Sequence, residues 1–153
     1  MTKPFLLMAW GISLIFQTSL AVASTPSCDA VINAIQQGFQ LVKDNPTQSQ
    51  QTVAFSRGGN TKVSVSCTLG KPDVAFYWDG SAPDVGFYEL VGRVGNLVSQ
   101  SPVPEVVKLS KQCRQEALKD GSEIATIEQK GVAIECQAFE RDGGGTTITV
   151  FAE

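Results

Sequence analysis

The chain has 153 residues, with 12 basic and 15 acidic side chains, a formal net charge of −3 and no histidine. The missing histidine removes Ser-His-Asp and Cys-His catalysis and every histidine-ligated metal site. No window is rich in Lys and Arg, which argues against nucleic acid or an anionic membrane as partner.

At the N-terminus, Lys3 precedes the apolar run Pro4 to Phe16 and then the small-residue signal Ala21-Val22-Ala23. Residues 1–23 therefore read as a secretory signal peptide, and the run is shorter than the roughly 20 residues of a membrane span. An uncleaved anchor would lack a use for the cleavage signal. Lipidation of Cys28 is disfavoured because Thr25-Pro26-Ser27 precedes it without a leucine, and one of the three remaining cysteines would be unpaired. Cleavage leaves residues 24–153 as a single domain, with 11 basic against 15 acidic residues and a net charge of −4. The expected location is the periplasm or the exterior, with no membrane insertion after cleavage. In such a compartment four cysteines read as two disulfides.

The first predicted element is a helix whose stripe is Cys28, Ile32, Ile35, Phe39 and Val42, with Ser27 as cap and Asp44-Asn45-Pro46 as stop. A hairpin follows: Gln51 to Ser56 alternates, Gly58-Gly59-Asn60 turns, and Val63 to Cys67 ("VSVSC") returns. In that return strand Val63, Val65 and Cys67 share one face and Ser64 and Ser66 the other. A third strand covers Asp73 to Trp78. Asp84 to Val98 carries a weaker helical stripe of Phe87, Val91, Val94 and Val98. Gly86, Gly92 and Gly95 would each cost it about 1 kcal/mol relative to alanine, so it forms only if packed.

The second part repeats the order. Ser101-Pro102 opens a helix with Val106, Leu109, Cys113 and Ala117 on one face, and Gly121 closes it. Glu123 to Gly131 then leads into Val132 to Cys136 ("VAIEC"), where Val132, Ile134 and Cys136 share a face. Thr146 to Phe151 is the final strand, after the loop Gly143-Gly144-Gly145. The expected fold is α+β, an internal duplication of an αβββ unit joined by a linking helix, with pseudo-repeats at about 27–80 and 101–153. Cys67 and Cys136 lie 69 positions apart in matching strands. One bridge per half, Cys28–Cys67 and Cys113–Cys136, would staple each helix to its sheet. Cys67–Cys136 with Cys28–Cys113 is the alternative, since four cysteines allow three pairings. Neither a redox nor a zinc site has the CxxC clustering it needs.

This half-and-half layout resembles that of the β-lactamase inhibitor proteins, secreted tandem α+β repeats with a disulfide in each half. The likeness implies a binding role and carries over no residues, because strand counts and aromatic usage differ.

Chemistry-bearing residues cluster in one stretch. Asp73, Asp79, Asp84 and Glu89 could in principle supply a carboxylate pair for glycoside hydrolysis, although acids beside Gly and Pro are ordinarily turn residues. "SRGGNTK" and "RDGGGTT" lack the layout of a phosphate loop. Tyr77, Trp78, Asp79, Asp84 and Tyr88 form the expected partner-binding set, since Trp and Tyr are enriched at protein–protein hot spots. Tyr77 is expected on the face of its strand opposite Val74, Phe76 and Trp78. The function expected is an exported, monomeric protein-binding domain, an inhibitor or a toxin-neutralising immunity-type protein, with no metal and no cofactor. The alternatives are an accessory or structural envelope subunit and, third, a carboxylate-based hydrolase.

Overall fold

The computed structural model describes residues 25–44, 51–68 and 70–153. The signal-peptide reading and the Asn45-Pro46 helix stop lie outside the described residues. Ser27 caps the first helix, α1 (Cys28–Gly38), its side chain accepting from the Ala30 amide at 3.3 Å. Val31 and Ile35 are its buried residues.

The expected extension of this helix to Val42 is wrong. Gln40 takes a left-handed φ of 53°, which turns the chain out of the helix after Phe39. Leu41 then enters the core, and Val42 joins a short strand, β1 (Val42–Lys43), where it pairs with Ser56 and is 68 % exposed.

The remaining elements follow the expected order. β2 (Thr52–Ser56), β3 (Thr61–Ser66) and β4 (Asp73–Asp79) form the first meander, with Gly58 and Gly59 supplying the positive φ of its first turn. Two helices come next, α2 (Val85–Ser99) and α3 (Val103–Ala117). Gln100, at φ 59°, closes α2 by donating its amide to Asn96 O at 2.8 Å, and Pro102 opens α3. α3 ends at Ala117, short of Gly121, in a turn of successive amide bonds to the carbonyls of Glu116 and Ala117. β5 (Ile124–Gln129), β6 (Val132–Phe139) and β7 (Gly145–Ala152) complete the chain, with a single 3₁₀ turn at Arg141–Gly143 before β7.

All strands join one antiparallel sheet in the order β1-β2-β3-β4-β7-β6-β5. The first half thus contributes four strands and the second three, and the two sets meet along β4 and β7. The fold class is α+β. The helices cover one face. α2 packs on β4 and β7, α3 on β5 and β6, and α1 on β3.

The core is built from the inward residues of alternate positions. Phe55, Val63, Phe76 and Ile148 lie in one cross-strand row, and Val65, Val74, Val150 and Ile134 in the next, all at 1 % exposure or less.

The two bridges are Cys28–Cys67 and Cys113–Cys136, with Cα separations of 6.0 and 5.8 Å. Each ties a helix to a strand region of its own half. Their placement differs between the halves, since Cys28 opens α1 whereas Cys113 lies deep in α3. The second bridge is fully buried, and the first is only partly so. Two disulfides are in keeping with an oxidising compartment. Among the described residues no helix is long and apolar enough to cross a membrane.

Candidate partner-binding face

Strand alternation leaves the second face of the sheet uncovered by any described helix. Its residues can be read across the strands from the pairings. One row runs Ser56, Lys62, Tyr77, Thr147, Gln137 and Ile124; the next runs Ala54, Ser64, Ala75, Thr149, Glu135 and Thr126; a third runs Thr52, Ser66, Asp73, Phe151, Ala133 and Glu128. The middle row is made of small side chains at its centre. Tyr77 and Phe151 stand in the rows to either side of it.

Tyr77 is 41 % exposed, and its hydroxyl lies 3.4 Å from Ser64 Oγ on the neighbouring strand. Beside it, at the end of the sheet, is a cleft of about 380 Å³ lined by Asn60, Lys62, Tyr77, Asp79, Phe139 and Thr147 among others. Its far wall is made by Phe139, the partner of Gly145 in the β6–β7 register. The ring lies so close over Gly145 that a β-carbon there would be 2.6 Å from Phe139 Cζ. Arg141 stacks on the same ring, 4.8 Å from its centroid, and pairs with Glu123. On this face the strands present the carboxylates of Asp73, Asp79, Glu128 and Glu135 against Lys62, with Arg141 beside Phe139 already paired to Glu123. The face is acidic.

The structure divides the five residues picked out by sequence. Tyr77, Trp78 and Asp79 line the cleft together. Trp78 does so from the helix side of the sheet, where its ring meets Phe87 edge-on at 5.6 Å. Its Nε1–H is buried with no protein acceptor among the described residues.

Asp84 is instead the cap of α2, accepting the Phe87 amide at 2.7 Å. Tyr88 lies on the opposite side of the sheet from Tyr77 and is only 9 % exposed. It contacts the Phe87 ring at 5.6 Å, and Lys111 Nζ sits 5.2 Å from its centroid. Burial pushes its phenol above the usual tyrosine range, partly offset by the nearby Arg114. The expectation of one surface holding both tyrosines fails because α2 is buried on two sides, against the sheet and against α3.

Phe139 and Lys62 are the contributors that sequence reading missed. The signal was present: continuing the alternation of Val132 to Cys136 by three residues puts Phe139 on the same face as Glu135. The sequence pattern alone carries the strand only to Cys136, whereas β6 runs on to Phe139. Among the described residues no group of three Asp, Glu or Cys side chains is placed to hold a metal ion.

No family model matches the chain, and neither the curated proteins nor the solved structures compared with it give a match. The chain's own geometry is therefore the basis for its functional reading.

Proposed function

We propose that this is an exported, disulfide-stapled domain that binds another protein through the uncovered face of its sheet, acting as an inhibitor or immunity-type protein in the periplasm or outside the cell. The observation that carries this reading is Tyr77, exposed on a central strand of a broad uncovered face and next to a cleft walled by Phe139. Aromatic anchors beside a pocket are the usual centre of protein–protein binding energy. The acidic rim selects for a basic partner and would raise its association rate. The two bridges hold the face in one shape before binding, which lowers the ordering cost of association.

The test is affinity capture from envelope and culture fractions of the source organism with oxidised protein lacking residues 1–23, run in parallel with a folded Tyr77→Ala/Asp79→Ala variant. A stoichiometric basic partner lost from the variant supports the reading. Capture that is indifferent to the substitutions removes this face from the interaction.

A second reading has its own observation. Among the described residues the edge strand β5 has no neighbour beyond β6 in the sheet order, and Ile124 on it is 47 % exposed. An open edge of six residues favours pairing into a larger assembly, as expected of an accessory envelope subunit. Size-exclusion separates the two: a monomer favours the inhibitor reading and a homo-oligomer the accessory one.

A further inference from the structure

Two of the chain's four arginines are committed to fixed acceptors. Arg114 donates through Nε to Thr146 Oγ1 at 2.9 Å and through Nη2 to the Ser81 carbonyl at 2.5 Å, and Arg141 pairs with Glu123. The other two, Arg57 and Arg93, are exposed, and their side chains have no acceptor among the described residues. Both line one small cavity of about 220 Å³ on the helix side of the molecule, away from the cleft at Tyr77. Gly38, Phe39, Gln40, Gly86, Glu89 and Leu90 complete its walls.

Three elements that carry donors line this cavity. Arg57 comes from the β2–β3 turn. Arg93 comes from the third turn of α2, its guanidinium carbon held 4.7 Å from the centroid of the Phe39 ring. All N–H groups of a guanidinium lie in its plane, so stacking on a face orients the group while leaving its donor edge free. The third element is the start of α2. Asp84 takes the Phe87 amide, and the amide of Gly86, which lines the cavity, is an open first-turn donor among the described residues. Gly86 puts bare backbone in the cavity wall. Gln40, which also lines it, is held at its left-handed φ of 53°.

We propose that this cavity binds an oxyanion of the phosphate class, either free phosphate or a phosphate monoester. A planar fork suits bidentate contact with such an ion, and a tetrahedral dianion has enough acceptor oxygens to serve donors arriving from three directions. Glu89 is the opposing charge. It sits four residues before Arg93 on α2 and lines the same cavity, yet it forms no ion pair with either arginine among the described residues. It therefore weakens anion binding rather than occupying the forks. The carboxylate of Asp84 is nearby and is engaged as the helix cap.

The experiment is a titration of the folded, oxidised protein with inorganic phosphate at constant ionic strength, followed by the Gly86 amide resonance and by calorimetry. The expected result is a saturable Gly86 shift, weakened about tenfold or more by Arg57→Ala or Arg93→Ala, as loss of a charge-assisted hydrogen bond implies. Glu89→Gln should tighten binding. Tighter binding of glycerol phosphate than of inorganic phosphate assigns the site to a monoester, and the reverse to the free ion. A wild type with no saturable shift overturns the proposal. So does unchanged binding in the double arginine variant, or acetate binding as tightly as phosphate. The backbone spectrum of each variant reports its folding, so loss of the site is distinguished from loss of the fold.

Discussion

Gly92 of α2 approaches Val107 of α3 so closely that a β-carbon on Gly92 would lie 2.5 Å from Val107 Cγ2 and 3.0 Å from Val103 Cγ1. Gly95 repeats the relationship one turn later, with Val106 Cγ1 at 2.8 Å. The glycines that make α2 a poor helix by composition are what let the two helices and the sheet meet. Gly92→Ala and Gly95→Ala should therefore destabilise, although alanine gains about 1 kcal/mol of helix propensity. Valine is stiff at χ1 in a helix, so the overlap is relieved only by moving α3, at a cost of about 1–3 kcal/mol. Thermal melts of the two variants decide the sign. A rise in Tm would show that the helices separate without penalty.

This relationship also shows where sequence reasoning stops. The alternation in Val63 to Cys67 and Val132 to Cys136 exposed the sheet and its inward face, because a period of two leaves one register for burial. The cysteine phase on those strands made one bridge per half the natural pairing. Helix stripes were less informative. The stripe Phe87, Val91, Val94 and Val98 marks the side of α2 toward the sheet and says nothing about α3, which buries Tyr88, Gly92 and Gly95 as well. Val42 fell on the helical spacing of α1 by coincidence, since spacing is blind to the left-handed turn at Gln40. Of the candidate surface, Tyr77 was placed correctly by alternation alone. Phe139, 62 residues away in the chain, becomes its neighbour only through the β4–β7–β6 pairing.

Tyr77 and Tyr88 should separate binding from folding. Tyr88 is enclosed by Phe87 and Lys111, and truncating a large buried aromatic costs about 3–5 kcal/mol. Tyr77→Ala removes an exposed ring from a central strand, at about 1 kcal/mol or less. In the protein-binding reading the same change costs about 2 kcal/mol or more of affinity. Chemical denaturation of both variants, with affinity of the captured partner for the Tyr77 variant, checks the pair. Equal stability losses would mean that Tyr77 is structural.

Ser110 of α3 is fully buried, and its hydroxyl has no partner among the described residues. An unpaired buried hydroxyl costs about 1–3 kcal/mol of desolvation. Ser110→Ala removes that cost, leaves nearly the same shape and improves helix propensity. Stability should rise by about 1 kcal/mol, read as a higher Tm. A fall would mean that the hydroxyl bonds to a carbonyl of its own helix.

The two disulfides should reduce in order. Cys113 and Cys136 are each 0 % exposed, whereas Cys28 and Cys67 are partly accessible. Mild reductant with alkylation and mass spectrometry should label Cys28 and Cys67 in the native state, and Cys113 and Cys136 only on unfolding. The loops closed span 39 and 23 positions, so chain entropy gives each bridge about 3–4 kcal/mol. Cys28→Ala/Cys67→Ala should lower stability by about 2–4 kcal/mol and leave the second bridge intact. Simultaneous labelling of all four cysteines would show that opening of the first bridge unfolds the whole domain.

Asp73 should make stability fall as the solution leaves acid. Asp73 lies in register between Ser66 of β3 and Phe151 of β7. Burial pushes its pKa above the ordinary 3.8, and hydrogen bonding to Ser66 draws it partly back. The folded state then holds a proton that the unfolded state has already released. Its contribution is complete below 3.8 and is lost as pH rises through the raised folded value. Asp120 has the opposite sign. The hydroxyl and amide of Ser122 donate to its carboxylate at 2.5 and 2.8 Å, which lowers its pKa. Its contribution is present above 3.8 and is lost as pH falls through the folded value. Asp73→Asn keeps a neutral side chain at every pH, so it should raise Tm at neutral pH and match the wild type in acid below 3.8. Tm profiles of wild type and variant measure this. A variant less stable at neutral pH would mean that the charged carboxylate is stabilised by its surroundings more than burial penalises it.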